Sequence, residues 1–381
     1  MGGQAAYDVV RERYEDVRSD LEAMNGWLFE NPETGYEEHR ACGLLADFLA
    51  GHGFEVTPKA YGLETAFRAT IGSGRLKVAL CAEYDALPVV GHACGHNLIA
   101  TTALGAAHAL APLVGELDVT LTLYGTPGEE NRGGKAEMLA AGAFKDDDLA
   151  LMVHPAPVDV LDPGFLAMAH LDVGFGGVAS HAAMAPDKGV NALDAMVNAY
   201  VAVSLLRQQI PDDARIHGVI TEGGESANVI PAATRSEWYV RARRSSTLVG
   251  LLERVEQCFL GAAQATGCTS SVESAAPAYD DLVTDPVLSS YFRDAAARHG
   301  RTMRPAHLGE VHGSSDMGNV SKVVPTIHPL LALGEGVPNH DPRFAELTIT
   351  DDGHRLLRDG AMMMAETIVD AALARYRSAD D

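Results

Sequence analysis

The chain of 381 residues is poor in cysteine and has no long apolar run. Its five cysteines are scattered, odd in number and without a CxxC pair, which argues against a disulfide framework and suits a reducing cytoplasm. Because no stretch of about 18 apolar residues occurs, no membrane-spanning helix is predicted. The charged N-terminal stretch lacks the apolar segment of a secretory signal, so a cytoplasmic location is expected.

Positive charge is also scarce. Lys and Arg total 29 against 52 Asp and Glu, which gives a formal net charge of −23 at pH 7. Nucleic acid and anionic membrane surfaces would repel such a chain, so neither is an expected partner. The 47% hydrophobic content is ordinary for a globular protein. A chain of 381 residues exceeds the size at which one core usually keeps growing, so two domains are expected.

Helical and strand patterns alternate through the first part of the chain. The predicted elements are helices over about 6–29, 37–51, 97–113 and 134–144, and strands over 76–85, 118–127 and 149–155. Asn97 is the expected cap of the third helix. Short buried strands between helices predict an α/β layer fold with a largely parallel sheet.

The pattern changes near residue 170. A strand, a helix over 191–210, two strands, a helix over 247–266 and a further strand follow, which is the order of a ferredoxin-like module. Beyond Pro277 the α/β pattern returns, with a helix over 286–299, a strand in TIHPLLALG and a final helix over about 350–377. We therefore predict a two-domain α/β protein: an α/β/α domain at 1–168 and 278–381, interrupted by an α+β domain at 169–277.

Metal-binding side chains follow three consecutive predicted strands. HACGH, with Cys94 and His96, follows the first, Glu129 and Glu130 follow the second, and His154 ends the third. Ligands collect at the carboxyl ends of strands in α/β sheets. Thiolate, imidazole and carboxylate together suit zinc or a neighbouring transition metal, and a spare carboxylate would serve as a general base. Alone, HACGH would also fit a nucleophilic thiol with a histidine base, or a packed turn.

The motifs EYDALP, GHACGHNLI, TPGEE and HP at strand ends resemble the M20 metallopeptidase family. The resemblance is to its aminoacylase-like amidohydrolase branch, and within it to the sub-branch of p-aminobenzoyl-glutamate hydrolases and M20D2-type dipeptidases. It continues through GGVASHAAMAP, NVIP, HGSSDMGNVSKVVPTIHP and NHDPRF over nearly the whole chain. It implies a catalytic α/β domain interrupted by a dimerisation or lid domain, and a homodimer formed through that inserted domain.

Carried over by motif, the resemblance implies two divalent metal ions per subunit, of zinc, manganese, cobalt or nickel. The implied ligands are Cys94, His96, Glu130, His154 and His340. Cys94 would lie between the two ions, and Glu129 would act as general base and later as acid toward water activated by the metals. The implied reaction is cleavage of the amide bond of an N-acyl or aminobenzoyl amino acid or of a small dipeptide, and the implied partner is that small molecule.

Several residues keep more than one interpretation. His328 competes with His340 for the last ligand position, and the PRF element of the family favours His340. Asp85 either orients a ligand or caps a turn. His181 in GGVASHAAMAP matches a histidine that stabilises the developing oxyanion, in the family often across the dimer. His92 either hydrogen-bonds nearby backbone or contacts the substrate.

Some residues are weaker candidates for substrate contact, and other functions remain as alternatives. Asn228 is a candidate for substrate contact, whereas Arg235, Arg241 and Arg243 are left outside the site. Gly128, where the branch commonly has alanine, is expected to loosen the loop before the glutamate pair. The alternative functions are thiol hydrolysis through Cys94, hydrolysis of another C–N bond such as aryl amine deamination, and a catalytically idle metal-binding homologue.

Overall fold

The computed structural model describes residues 2–130, 132–305, 313–334 and 336–376. The chain divides into two compact units: a larger unit, Met1–Gly164 with Leu282–Asp381, and a smaller unit, Phe165–Asp281. The smaller unit extends four residues further at each end than the predicted inserted domain, 169–277. The backbones of Met168 and Tyr279 exchange two hydrogen bonds of 2.9 and 2.8 Å, which extend the smaller unit's sheet beyond the predicted boundaries.

Helices and strands alternate along both units. The helices are α1 (Gly3–Glu30), α2 (His39–Gly51), α3 (His96–Leu110), α4 (Gly134–Ala140), α5 (Ala192–Leu206), α6 (Ser245–Thr266), α7 (Pro286–Arg298), α8 (Met317–Ser321), α9 (Pro342–Leu347) and α10 (Asp351–Leu373). The strands are β1 (Glu55–Pro58), β2 (Phe67–Ile71), β3 (Leu76–Ala82), β4 (Val119–Gly125), β5 (Leu149–Leu151), β6 (His154–Ala156), β7 (Ala167–Gly176), β8 (Ser180–His181), β9 (Arg215–Glu222), β10 (Val229–Ile230), β11 (Ala233–Ala242), β12 (Thr269–Ser274), β13 (Thr326–Ile327) and β14 (Leu330–Ala332).

The larger unit contains a six-stranded sheet in the order β1-β2-β4-β3-β5-β13. The four strands from β4 to β13 are parallel, as predicted, whereas β1 and β2 add an antiparallel edge that the sequence patterns did not reveal. Antiparallel edge strands on a parallel sheet are common in mixed sheets. The parallel strands place the segments after β3 and β4 at one edge of the sheet.

Two predicted strands are each divided between two sheets. The segment 149–155 forms β5 in the large sheet and β6 in a two-stranded sheet, and TIHPLLALG forms β13 and β14 in the same two sheets. Pro329 lies between β13 and β14 and has no N–H to donate, so the ladder is interrupted there. The interruption puts His154 at the start of β6, where its N–H donates to the Pro329 carbonyl at 3.0 Å.

Helix α3 is the central helix of the larger unit, and all its residues are buried. It packs against α1, α10 and the sheet. Its N-cap is Gly95 in the left-handed conformation, with φ of 88°, so the prediction that Asn97 caps this helix is wrong. Asn97 lies inside the first turn and donates from Nδ2 to Thr348 Oγ1 at 2.8 Å, which fixes α3 to the segment before α10.

The smaller unit has the predicted ferredoxin-like arrangement. Its antiparallel sheet has the order β12-β7-β11-β9, and helices α5 and α6 pack against it. Its core includes Phe175, Trp238 and Phe259. A two-stranded ribbon of β8 and β10 is an addition to the module. Among the described residues, no helix is both long enough and apolar enough to span a membrane.

Candidate metal centre

Donor side chains that follow strands β3 and β5 converge in the larger unit. Cys94 precedes α3, His96 begins it, and His154 begins β6. Ligand atoms of these three residues all lie within 4.8 Å of one another, and Cys94 Sγ is 3.5 Å from His154 Nε2. Donors on a tetrahedral ion with bonds of about 2.0–2.3 Å lie roughly 3.3–3.8 Å apart, so this spacing fits a bound cation.

The surroundings of His154 favour the neutral ring with a free lone pair on Nε2. Its Nδ1 lies 2.7 Å from the Pro155 carbonyl oxygen, and because a carbonyl only accepts, Nδ1 carries the proton. Nε2, which faces Cys94, is then the unprotonated nitrogen. Burial and the nearby His96 lower the pKa of His154 to about 4, so the ring is neutral at pH 7. A neutral imidazole is the form that binds metals.

A second cluster shares Cys94 with the first. It contains Glu130 and His340, whose Oε1 and Nε2 atoms are 3.6 Å apart. His340 has φ of 71°, a strained conformation for a residue other than glycine. Its N–H donates to the Ala93 carbonyl at 2.8 Å, which anchors the loop beside HACGH. Because Cys94 belongs to both clusters, its thiol lies where one sulfur can serve two cations.

Asp85 connects two of the predicted ligands. Its Oδ1 is 2.9 Å from His96 Nδ1, and its Oδ2 accepts the Glu130 N–H at 3.0 Å. Burial favours the neutral acid, but the His96 ring and the Glu130 N–H outweigh it and lower the pKa of Asp85. A carboxylate on the far ring nitrogen is the usual way of orienting a metal-binding histidine. The contacts of Asp85 are therefore those of an orienting group.

Asn339 is a site residue that the sequence reasoning missed. Its Nδ2 donates to the carbonyls of Cys94 at 3.2 Å and Pro155 at 3.0 Å, so one side chain connects three segments of the centre. Gly95 allows the close approach of two of these segments. A Cβ on Gly95 would lie 2.9 Å from the Pro155 ring, and its φ of 88° favours glycine.

The loop that carries the glutamate pair is anchored. Gly128 has φ of 67°, and its N–H donates to Glu38 Oε1 at 2.9 Å. A Cβ at this position would lie 2.8 Å from the Tyr36 ring. Glycine thus fits both this conformation and this space, and whether it loosens the loop stays a prediction. Burial and the nearby Asp85 raise the pKa of Glu38 to about 8.

A third cluster joins Glu129 to His96 and to Glu83, another residue that the sequence reasoning missed. Glu83 Oε2 lies 3.5 Å from His96 Nε2, and Glu130 Oε1 lies 3.8 Å from the same nitrogen. Burial and the charges of Glu83 and Glu130 raise the pKa of Glu129 well above the usual value. A carboxyl with a raised pKa can both accept and return a proton near neutral pH.

Buried polar atoms at the centre have no hydrogen-bond partners among the described residues. They include Glu83 Oε2, His96 Nε2 and Glu130 Oε1. Such atoms are costly unless something else satisfies them, and their chemistry is that of metal ligands. Burial and Glu130 also raise the pKa of Cys94 well above its usual value, which disfavours a free thiolate nucleophile. The residues therefore fit bound cations better than a thiol hydrolase.

Two further histidines, His328 and His92, are buried outside the clusters found among the described residues. His328 is fully buried, with its ring centroid 5.7 Å from that of His154. His340, rather than His328, thus belongs to a donor cluster. Burial and the neighbouring His96 lower the pKa of His92 to about 3, so that ring is neutral.

His181 lies in the smaller unit on the β8–β10 ribbon and is exposed. Its Nδ1 accepts the N–H groups of Ala183 and Met184, both at 3.2 Å. Because Nδ1 accepts, the proton of the neutral ring is on Nε2, which leaves a donor outward. The Asn228 carbonyl accepts the Ala182 N–H at 3.0 Å, so Asn228 supports this turn through its backbone.

Three arginines of the smaller unit were considered as substrate contacts: Arg235, Arg241 and Arg243. Arg235 is exposed and lies 3.6 Å from Glu222. The Arg241 guanidinium lies over the Tyr239 ring, 5.0 Å from its centroid, and partial burial lowers its pKa. Arg243 is exposed. Arg235 and Arg241 thus have the contacts of sheet-face residues, whereas Arg243 lies just beyond the end of β11.

Comparison with known proteins agrees with the geometry. Residues 79–365 match peptidase family M20/M25/M40. The Xaa-Arg dipeptidase of Mus musculus is 40% identical over 356 residues, which are 88% of this chain and 81% of that protein. A p-aminobenzoyl-glutamate hydrolase chain of Escherichia coli (strain K12) is 31% identical over 82% of this chain and 66% of its own length.

A solved structure shares the fold. The dinuclear metal-binding peptidase of the M20 family from Bacillus subtilis superposes with a TM-score of 0.71 at 21% identity, covering 94% of this chain and 99% of its own. The family match covers well over half of the chain. The predicted resemblance is confirmed, and the chain belongs to peptidase family M20/M25/M40 and is a hydrolase that acts on amide bonds.

Proposed function

We propose that this hydrolase is a metal-dependent amidohydrolase that cleaves a dipeptide or another small N-acyl amino acid. The observation that carries the proposal is the set of three overlapping donor clusters, in which buried ligand atoms lack partners among the described residues. The proposed ligands are Cys94, His96, Glu130, His154 and His340. The shared position of Cys94 supports two ions rather than one.

Two divalent cations, when bound, would polarise the scissile carbonyl and make a water molecule more acidic. Glu129 takes the proton from that water and later returns it to the leaving amine. Its burial and its carboxylate neighbours, which raise its pKa, suit both steps. Asp85 keeps the His96 ring in one orientation through the 2.9 Å contact at Nδ1. Zinc, manganese, cobalt and nickel all suit the mixed sulfur, nitrogen and oxygen donors.

His181 is the proposed donor to the developing oxyanion. The two backbone N–H groups on its Nδ1 fix the tautomer with the proton on Nε2. A fixed donor of this kind can contribute about 3 kcal/mol to the stability of the transition state. We propose that it serves the active site as part of a homodimer.

The smaller unit is the proposed dimerisation domain. Helix α5 exposes an apolar stripe at intervals of four residues, formed by Val197, Val201 and Leu205. Strand β9, at one edge of the four-stranded sheet, exposes Val219 and Ile220. An apolar edge strand is a common site of pairing with a second chain. All five cysteines are free, which supports a location in the reducing cytoplasm.

A dipeptide with a basic C-terminal residue is the proposed substrate class. The relative at 40% identity is an Xaa-Arg dipeptidase, whereas the aminobenzoyl-glutamate hydrolase is more distant at 31%. The net charge of −23 attracts a cationic substrate and repels an acidic one. A panel of test substrates should therefore contain such dipeptides, together with N-acyl amino acids and p-aminobenzoyl-glutamate.

The decisive variant is Glu129→Gln in the metal-reconstituted full chain. We expect it to keep both metals and to lose at least about 1,000-fold in turnover, because the amide cannot take the proton. The assay follows liberated amine over the substrate panel, with metal content measured in the same sample. Glu366→Gln is the matched control, because Glu366 is a buried carboxylate outside the donor clusters and should leave turnover per folded molecule unchanged.

Each other outcome contradicts a stated part of the proposal. Full turnover in Glu129→Gln would remove Glu129 as the base. Release of ammonia alone would favour deamination of another C–N bond, and metal binding without turnover of any panel member would favour an idle homologue. Activity that survives chelation and is blocked by a thiol reagent would favour Cys94 as nucleophile.

A further inference from the structure

Glu83 is a fully buried carboxylate whose two oxygens have different surroundings. Oε1 accepts a hydrogen bond from the Lys135 ammonium. Oε2 has no hydrogen-bond partner among the described residues and lies 3.5 Å from His96 Nε2, which is also without one. Two unpartnered ligand atoms of adjacent side chains therefore face each other inside the protein.

Lys135 and Asp316 fix the position of Glu83. Lys135 Nζ donates to Asp316 Oδ1 at 2.7 Å, and the Lys135 backbone N–H donates to Asp316 Oδ2 at 2.8 Å. All three side chains have no exposed surface. The ammonium thus has a rigid anchor, and through it the carboxylate of Glu83 is held in one orientation.

The charges of this group do not balance. Two carboxylates and one ammonium leave a surplus negative charge on side chains that have no exposed surface. A buried charge without compensation is strongly destabilising. The neighbouring side chains of Glu129 and Glu130 add carboxylates rather than cations. A cation at the side of Glu83 that faces His96 would balance this charge, as would a protonated His96, whose pKa the nearby Asp85 raises despite burial.

We propose that Glu83 is a further metal ligand, binding through Oε2 the same ion as His96, and that Lys135 and Asp316 are its positioning residues. The 3.5 Å between Glu83 Oε2 and His96 Nε2 is a normal separation for two donors of one ion. The inference rests on the proposed metal centre and adds a sixth protein donor to it. It gives the ion beside His96 a carboxylate that the five-ligand set does not include.

The test is Glu83→Gln in the full chain, stripped of metal and titrated with Co²⁺. The amide oxygen still accepts from Lys135, so the variant removes charge and ligand strength while keeping the volume. We expect wild type to bind two Co²⁺ and the variant to bind one of them about 10–100-fold more weakly. The d–d absorption should change because one coordination sphere changes, whereas the thiolate-to-cobalt band from Cys94 should persist.

Three further variants test whether the change in Co²⁺ binding is specific to Glu83. Glu366→Gln, a buried and ion-paired carboxylate elsewhere in the unit, should bind Co²⁺ as wild type does. Lys135→Met should weaken the binding of the same Co²⁺ ion, because the Glu83 carboxylate loses the hydrogen bond that holds it in place. If Glu83→Gln does not fold, Glu83→Asp keeps the charge but withdraws the oxygen, and it should show the same altered spectrum.

Two outcomes would overturn the inference. Unchanged Co²⁺ affinity and d–d bands in Glu83→Gln would mean that Glu83 only neutralises Lys135, and the five-ligand centre would stand without it. A wild-type chain that binds no Co²⁺ would remove the metal centre itself, and the role of Glu83 with it. The wild-type titration therefore separates failure of the proposed function from failure of this inference.

Discussion

Two charged groups in the larger unit, each containing a buried carboxylate, contrast with each other. The α7–α10 network consists of Arg298, His299, Glu366 and Asp370. Arg298 Nε donates to Glu366 Oε2 at 2.6 Å, its Nη2 donates to Asp370 at 3.0 Å, and His299 Nε2 lies 2.8 Å from Glu366 Oε1. Both oxygens of Glu366 are thus paired. In the strand-end cluster of Glu83, His96, Glu129 and Glu130, several ligand atoms lack partners among the described residues.

The two groups shift carboxylate pKa values in opposite directions. Burial favours the neutral form of Glu366, but hydrogen bonds from His299 and Arg298 outweigh it and lower its pKa. Burial and neighbouring carboxylates raise the pKa of Glu129. Burial of charge is therefore no sign of function in itself. A surplus of one sign, with ligand atoms left unpaired, distinguishes the cluster that suits a cation from the network that stabilises the fold.

The largest effect is expected for Cys94→Ala. This variant removes the donor that two clusters share, so we expect at most one metal per chain and a loss of at least about 1,000-fold in amide hydrolysis. The unfolding free energy of the metal-free chain should change by no more than about 1 kcal/mol, because only a small buried group is lost. Metal analysis, turnover and chemical denaturation measure the three quantities.

Cys42→Ala is the matched control, because Cys42 is a buried free cysteine on α2. It should keep two metals and full turnover. A Cys94→Ala chain that still bound two metals would exclude the shared-sulfur arrangement and weaken the contrast between the two charge groups.

The α7–α10 network predicts the opposite behaviour for Glu366→Gln. We expect it to lose about 2 kcal/mol of unfolding free energy at pH 7, a reduced figure because Arg298 is 32% exposed. The folded pKa of Glu366 is depressed, so its stabilisation is present above the unfolded pKa of about 4.5 and is lost as pH falls through the lower folded value. Denaturation of both chains between pH 7 and pH 3 measures this.

The two denaturation curves should converge in acid. A stability difference that stayed constant down to pH 3 would show that the ionised Glu366 carboxylate contributes nothing. Metal binding should be the same in both chains, since the network contains no member of the donor clusters found among the described residues.

The smallest effect is expected for Asn339→Ala. The variant removes the two hydrogen bonds that hold the backbones of Cys94 and Pro155, without removing a ligand. We expect metal affinity to fall about 10-fold, at the lower end of the effects seen when supporting groups are lost. Competition with a metal indicator measures it. Asn31→Ala is the control, because Asn31 Nδ2 also donates to a backbone carbonyl, at Trp27, but outside the centre; equal losses in the two variants would exclude a specific role for Asn339.

Periodicity and local chemistry sufficed for much of the fold. Helix α1 buries Val10, Tyr14, Val17 and Leu21 at helical intervals, and such stripes mark long helices reliably. The β-α-β-β-α-β order identified the smaller unit for the same reason. Strand β1 was missed because it is mostly exposed, and β2 because its five residues are only partly buried and give a short, weak pattern. The divided strands were missed because an apolar run does not show which sheet each half joins.

Within the site, motifs revealed donors but not their supports. Cys94, His96, Glu129, Glu130 and His154 stand out because they follow strands or form a dense motif. The partners of Glu83 lie 52 residues away at Lys135, and from there 181 residues away at Asp316, so the charge group exists only in the folded chain. Asn97 has the composition of a helix cap, yet the left-handed Gly95 takes that position.

The burial of Cys94 also affects how readily its thiol is oxidised before metal ions bind. Oxidants attack the thiolate rather than the thiol. In the metal-free chain the raised pKa keeps Cys94 protonated, and only 8% of the residue is exposed. In the proposed dinuclear centre this buried, protonated thiol would react slowly with peroxide before the metal ions bind. The burial that would make this centre electrostatically costly without cations thus also lowers the reactivity of its thiol.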